Sequence, residues 1–165
     1  MYKVGEYIHH ANRGICQVEE ITSMKTDDKG AEKKYYKLVP LESMASTLFT
    51  PVDNPKVMMR RVMTREDAEK LIGEMPSIQS VQIPDERKLE SVCRAQLASV
   101  DCKDWVGLIK TLYHRRKKRL DAGKKVTASE EKFFQSATGR LNAELAMAIG
   151  IQPEAVDDYI AAHIS

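Results

Sequence analysis

The chain has 165 residues, of which 42% are hydrophobic and 30% charged, and its formal net charge is +2. This composition is typical of a globular protein with room for one ample domain or two small ones. No run of about 18 apolar residues occurs, and the opening MYKVGEYIHH has no signal-peptide core, which argues against a membrane span and against secretion. We therefore expect a cytoplasmic protein.

Residues 1–63 have the pattern of a small β domain. Glycines and an Asp-Asp-Lys-Gly cluster at 27–30 separate short runs rich in β-branched and aromatic residues. The runs predict strands over 14–21, 33–39, 47–52 and 56–62, with a hairpin at the cluster between the first two. Pro51 indicates a strand end or a sheet edge. Such short strands indicate a small barrel or a strongly bent sheet.

A helical period replaces the strand pattern after residue 63. Thr64 and Asp67 form a capping signal for a helix that should stop between Gly73 and Pro76. Residues 76–85 have prolines near both ends and are the best candidate for a linker. From Glu86 onward, apolar spacing and capping residues predict about four helices, one of which should begin at Thr127 and end before Gly150.

These patterns predict an α+β protein with its elements segregated along the chain. The predicted parts are a β domain over 1–63, a helix and linker over 64–85, and an all-α domain over 86–165.

Positive charge is concentrated in one segment of the predicted helical domain. Residues 84–126 carry twelve Lys and Arg against six Asp and Glu, whereas residues 127–165 carry two against six. This uneven distribution favours a local anion-binding surface, and a solvated helix face is the alternative interpretation.

The helix predicted from Cys102 carries most of this charge. Six consecutive basic or potentially basic residues run from His114 to Arg119. An apolar face should pack into a core, and it consists of Trp105, Leu108, Ile109, Leu112 and Leu120.

Catalytic and metal-binding patterns are absent from the sequence. Cys16, Cys93 and Cys102 are odd in number and lack the C-x-x-C spacing of zinc or redox sites. We expect Cys16 and Cys93 to be small buried side chains. Adjacent His9 and His10 on a strand point to opposite faces, so they do not share a metal easily. We expect no enzymatic activity, no metal and no cofactor.

Several short segments, in this order, resemble the CarD family of bacterial transcription regulators. The N-terminal ones resemble a module that the family shares with transcription-repair coupling factors, and they are residues 3–8 (KVGEYI), 14–21 (GICQVEEI), 35–38 (YYKL) and 47–51 (TLFTP). The C-terminal ones are the end of the basic helix at 112–116, a Ser-x-x-Glu-like helix start and residues 141–146.

The resemblance implies a Tudor-like β domain that binds the β subunit of RNA polymerase through a sheet edge, a contact that strand addition would explain. By position, the contact residues would be Met24, Lys25, Leu48, Phe49 and Thr50. Some relatives have an arginine in each of these two segments, so the contact here should be more apolar.

The resemblance also implies that the helical domain binds promoter DNA and that the protein affects the stability of the open promoter complex. The DNA contacts would come from Arg87, Lys88, Leu89, Arg94, Lys110, His114, Arg115, Lys117, Lys118 and Arg119. Because no base-reading helix is evident, binding should be salt-sensitive and largely independent of sequence.

In relatives, a tryptophan before the first helix of this domain wedges into the minor groove. Leu89 is the nearest apolar residue here, and it is either a wedge or the first member of a core stripe. Trp105 should lie in the core, because its neighbours at helical spacing are apolar.

The sequence thus predicts a monomeric, non-enzymatic regulator with polymerase and double-stranded DNA as partners. The alternative is a generic adaptor that binds another protein or RNA without a polymerase contact.

Overall fold

The computed structural model describes residues 1–11, 13–25, 30–42, 46–53 and 58–164. The chain divides into two units, Met1–Val62 and Met63–Ser165. The first contains an antiparallel sheet and the second contains helices, which confirms the predicted α+β fold.

The sheet of the first unit has five strands in the described residues. They are β1 (Tyr7–His10), β2 (Gly14–Lys25), β3 (Glu32–Pro40), β4 (Leu48–Pro51) and β5 (Met59–Arg61). Their order across the sheet is β4-β3-β2-β1-β5, and every pairing is antiparallel. The predicted runs correspond to β2, β3, β4 and β5, while His9 and His10 lie on β1. The turn residues 26–29 of the predicted hairpin and residues 54–57 before β5 lie outside the described residues.

Alternation of apolar side chains explains how β2 builds the core of the sheet. Cys16 and Val18 are fully buried and pack with Ile8, Tyr36 and Leu38. A register shift between Val18 and Glu20 then changes the pairing with β3. A bulge of this kind bends a strand and increases its local twist.

The second unit contains five helices in the described residues. They are α1 (Arg65–Glu74), α2 (Leu89–Ala98), α3 (Cys102–Asp121), α4 (Ala128–Ile149) and α5 (Val156–Ile164). Short 3-10 turns cover Met75–Ser77, Glu86–Lys88 and Pro153–Ala155.

Local signals fix the ends of these helices as predicted. The Thr64 side chain and Asp67 form a reciprocal capping box at the start of α1, and the Thr127 hydroxyl accepts from the Glu130 amide at the start of α4. Gly150 ends α4 with a φ of 84°, a left-handed conformation that glycine adopts without steric cost.

Trp105 of α3 belongs to the larger core cluster of this unit. It has no exposed surface, and its indole N–H donates to the Ser99 carbonyl at 3.0 Å. Ala68, Leu71 and Ile72 of α1 belong to the same cluster. The prediction that Trp105 is a core residue is therefore confirmed, and α1 is part of the helical unit.

Residues 76–85, which composition suggested as a linker, run along α3 inside the helical unit. The Thr111 hydroxyl donates to the Val81 carbonyl at 2.8 Å, and the Val81 amide donates to the Gly107 carbonyl at 3.3 Å. A Cβ atom at Gly107 would meet the Gln79 carbonyl oxygen at 2.9 Å, so glycine permits this close approach.

Leu120 departs from the predicted apolar face. Its side chain is 56% exposed, whereas Leu108 and Leu112 are buried in a second cluster with Cys93 and Ala137. The apolar contacts of α3 therefore end before its last turn, and periodicity does not reveal where a core stops.

Candidate functional site

Among the strands that the structure describes, β4 forms one edge of the sheet, and no described strand pairs with its outer margin. It pairs with β3 through Leu48↔Leu38, Phe49↔Lys37 and Thr50↔Tyr36, and it ends the strand order. Leu48 packs against the sheet core and Thr50 is buried, whereas Phe49 is 47% exposed. Phe49 is thus an apolar side chain on the surface of an edge strand.

Backbone hydrogen bonds show which groups of β4 face the open margin. The Val52 amide donates to the Lys34 carbonyl at 3.0 Å, so the peptide groups of Val52 point towards β3. Because these groups alternate along an antiparallel strand, those of Thr50 also point towards β3 and those of Phe49 point away. Pro51 has no amide hydrogen. Phe49 therefore offers both a donor and an acceptor at the open margin.

Met24 and Lys25 lie at the far end of β2. Met24 pairs with Lys33 and Lys25 pairs with Glu32. By register, Met24 shares a face of the sheet with Phe49, and Lys25 lies on the opposite face. Strand β3 separates β2 from β4. The sheet therefore brings Met24 and Phe49 to one face but not to one edge.

The predicted DNA-binding residues fall into exposed and engaged groups. Six are exposed in the helical unit, and they are Arg87, Lys88, Arg94, His114, Lys117 and Lys118. Arg87 pairs with Asp85 at 3.7 Å, and Arg94 pairs with Glu90 on the same helix. Within the described part of the chain, no ion pair engages Lys117 or Lys118.

The side chains of Lys110 and Leu89 make contacts within the helical unit instead of facing solvent freely. The Lys110 ammonium donates to the carbonyls of Met75 and Ile78, near the end of α1. Leu89 is half-buried and packs against the cluster around Leu108. A lysine near a helix C-terminus satisfies carbonyl groups that the helix leaves open, so Lys110 has a structural role.

Arg115 and Arg119 are held by a buried carboxylate. Glu130 is 2% exposed, and its Oε1 lies 2.9 Å from Arg115 Nη2 and 3.7 Å from Arg119 Nη2. Both oxygens of Glu86 also lie 2.8 Å from Arg115 Nη2. Burial opposes the charged form of Arg115, but the hydrogen bonds to Glu130 and Glu86 outweigh it and raise the pKa of Arg115. The hydrogen bond from Arg115 lowers the pKa of Glu86.

Lys124 was absent from the predicted set and lies close to these arginines. Its amide donates to the Arg119 carbonyl at 2.8 Å, and Gly123 before it has a φ of 73°. A glycine directly after a helix predicts a turn of this type, which brings the next side chain back beside the last helical turn. Lys124, Arg115, Lys118 and Arg119 line one open pocket of about 300 Å³.

The three cysteines are buried, and no disulfide joins them. Burial raises the pKa of Cys16 and of Cys93 to about 11 in each case. Cys16 and Cys93 are fully buried, as the sequence predicted, and Cys102 is 6% exposed.

We expect the native protein to resist thiol modification. A maleimide at pH 7.5 should label none of the three thiols promptly, because they are inaccessible and the two with a raised pKa hold little thiolate. All three should react once urea unfolds the chain. Prompt labelling of Cys102 in the native protein would contradict the burial and identify an accessible thiol.

Comparison with known families identifies the β unit. The sequence model of the CarD-like/TRCF RID domain matches residues 2–63. No curated protein matches the chain at a significant level. No helix in the described residues is long and apolar enough to cross a membrane.

The match covers β1 to β5 and includes the β4 edge with Phe49. This domain belongs to a transcription-related family of RNA polymerase-interacting domains. Residues 2–63 of the chain therefore form a CarD-like/TRCF RID domain.

Proposed function

We propose that the chain is a CarD-family transcription regulator with two binding surfaces. Its RID domain binds the RNA polymerase β subunit through the β4 edge, and its helical unit binds promoter DNA through exposed lysines. The protein thereby affects the stability of the open promoter complex in the cytoplasm. The observation that carries the polymerase contact is the open margin at Phe49, in a domain of polymerase-interacting type.

Strand addition is the physical basis of the polymerase contact. An extended segment beside β4 would bond to the amide and carbonyl of Phe49, and Pro51 would limit the length of the pairing. The exposed Phe49 ring would add apolar contact area. Binding of the full chain to purified β subunit tests this proposal, and the decisive variants concern Phe49.

The DNA contact rests on charge. Lys117 and Lys118 are exposed at the basic end of α3, with Arg87, Lys88 and Arg94 on the preceding segment. Lysine and arginine contacts to phosphates release counterions, so such binding weakens steeply with salt and reads little sequence. Leu89 packs against the apolar cluster of its own unit. The proposed DNA binding therefore relies on phosphate contacts rather than on an apolar wedge.

Replacing Lys117 and Lys118 by Ala should flatten the salt dependence of DNA binding. The logarithmic slope should fall by about two units, because each lost phosphate contact removes about 0.9. Adding Arg119→Ala takes the expected change towards three units but also removes a partner of buried Glu130. The double variant is therefore the cleaner test. Fluorescence anisotropy on a duplex at several salt concentrations measures the slope.

A charge-matched control separates local contacts from net charge. Lys3→Ala with Lys70→Ala removes the same charge from two exposed positions outside the basic end of α3. This control should keep the wild-type slope. Equal slopes for the wild type, the double variant and the control would exclude Lys117 and Lys118 as DNA contacts. That result would favour an adaptor without a DNA contact.

A further inference from the structure

A cationic pocket lies at the end of α3. Its lining consists of Glu86, Arg115, Lys118, Arg119, Ala122 and Lys124. Four of these side chains are cations and one is an anion, so the lining has an excess of positive charge. The pocket volume of about 300 Å³ is large enough to admit a phosphate group.

Glu130 fixes the two arginines of the pocket from behind. It is buried on α4, and one of its oxygens contacts both Arg115 and Arg119. A carboxylate that holds two guanidinium groups limits their motion, and a site whose donors are already in place loses less freedom when a ligand binds. Lys118 supplies a further charge that no ion pair in the described residues neutralises.

Glu86 occupies the pocket with poor geometry. Both of its oxygens share Nη2 of Arg115 at 2.8 Å, and Glu130 accepts from that same nitrogen at 2.9 Å. Nη2 carries two hydrogens for these three oxygens. Meanwhile the buried Nε of Arg115 has no acceptor among the described residues. The Glu86 side chain is 68% exposed, so little holds it apart from this contact.

We propose that the pocket is a binding site for a phosphate group and that Glu86 is its built-in competitor. A phosphate offers more charge and more acceptor oxygens than one carboxylate, and arginine binds it through two parallel N–H groups. Its entry would displace Glu86 from Arg115. The phosphate would come either from the DNA backbone or from a soluble phosphorylated compound. Only the first of these sources depends on the DNA binding proposed above.

The helix end itself opposes anion binding, because carbonyl groups give a helix C-terminus a partial negative charge. Here the amides of Ala122, Gly123 and Lys124 donate to carbonyls of Lys118, Arg119 and Leu120. These hydrogen bonds cap the helix end. The four cations act at closer range than the remaining dipole, and their charge outweighs it.

Glu86→Gln is the test, with Glu66→Gln as its matched control. Glu66 is an exposed carboxylate of α1 that does not line the pocket, and no ion pair in the described residues engages it. Both changes remove one negative charge, but only Glu86→Gln weakens the competitor. Relative to Glu66→Gln, it should bind a phosphate ligand about three- to fivefold more tightly, since an exposed ion pair competes by about that factor. Adding Lys118→Ala and Lys124→Ala to Glu86→Gln should cancel the gain.

Two probes applied to the full chain distinguish the phosphate sources. Calorimetry with pyrophosphate measures the soluble source, and anisotropy with a DNA duplex at fixed salt measures the backbone source. A gain with either probe supports the site and names its source. Equal affinities of the two variants for both probes would overturn it. If the variants bind both probes equally but the Lys117 and Lys118 variant still shows a flatter salt dependence of DNA binding, the pocket is ruled out and the proposed DNA contact is retained.

Discussion

Phe49→Pro should remove most of the binding to the RNA polymerase β subunit while the sheet stays folded. Proline is tolerated on an edge strand where its missing N–H faces solvent, and the Phe49 amide points to the open margin. In the complex, the partner carbonyl would lose its donor, which costs about 1–3 kcal/mol. Affinity should therefore fall about tenfold or more below that of Phe49→Ala, which loses only the ring. Biolayer interferometry with immobilised β subunit measures both.

Two comparisons make the result specific. Val4→Ala changes another exposed apolar side chain of the same domain and should bind like wild type. Circular dichroism should show an unchanged fold in all three variants. Equal affinities of Phe49→Pro and Phe49→Ala would rule out strand addition, and wild-type affinity of both would rule out the β4 edge as the site.

Trp105→Ala should destabilise the helical unit by about 3–5 kcal/mol, the usual cost of deleting a fully buried large aromatic side chain. The cavity would open between α1, α3 and α4, whose residues form one cluster around the indole. Urea unfolding followed at 222 nm reports these helices and measures the change. Tyr113→Ala alters an aromatic residue of the same helix that is 54% exposed, and it should shift stability by less than about 0.5 kcal/mol.

The same tryptophan distinguishes a core role from a DNA wedge. As the only tryptophan of the chain, it accounts for the whole indole emission. That emission should stay unchanged when duplex DNA is added, because the ring has no exposed surface. Strong quenching by DNA, or a loss of stability below about 1 kcal/mol in Trp105→Ala, would contradict the core assignment.

Local chemistry made much of the fold predictable. The capping signals at Thr64 and Thr127 and the glycine at 150 act over one helical turn, so the sequence displays them directly. The alternation in β2 also emerged from neighbouring residues. The pairing of β1 with β5 joins residues about 50 positions apart, and no local pattern encodes such a register.

The sequence did not reveal which cations of the candidate site are held in ion pairs, except where the partners are close in sequence. The Arg94–Glu90 pair has helical spacing and follows from the sequence. Arg115 instead meets Glu86 and Glu130, which are 29 and 15 positions away, so no local pattern showed that carboxylates hold this predicted DNA contact. The same reasoning missed Lys110, whose acceptors lie beyond the end of α1.

The close approach at Gly107 has a consequence for dividing the protein into fragments. Residues 76–85 lie against α3 where only a hydrogen atom fits, and α1 contributes side chains around the indole. A helical fragment that starts at Glu86 would expose that apolar surface and lose two hydrogen bonds from the Lys110 ammonium. An expressible piece of this half therefore begins near Met63, and any chimaera must carry the connecting segment with the helix that it covers.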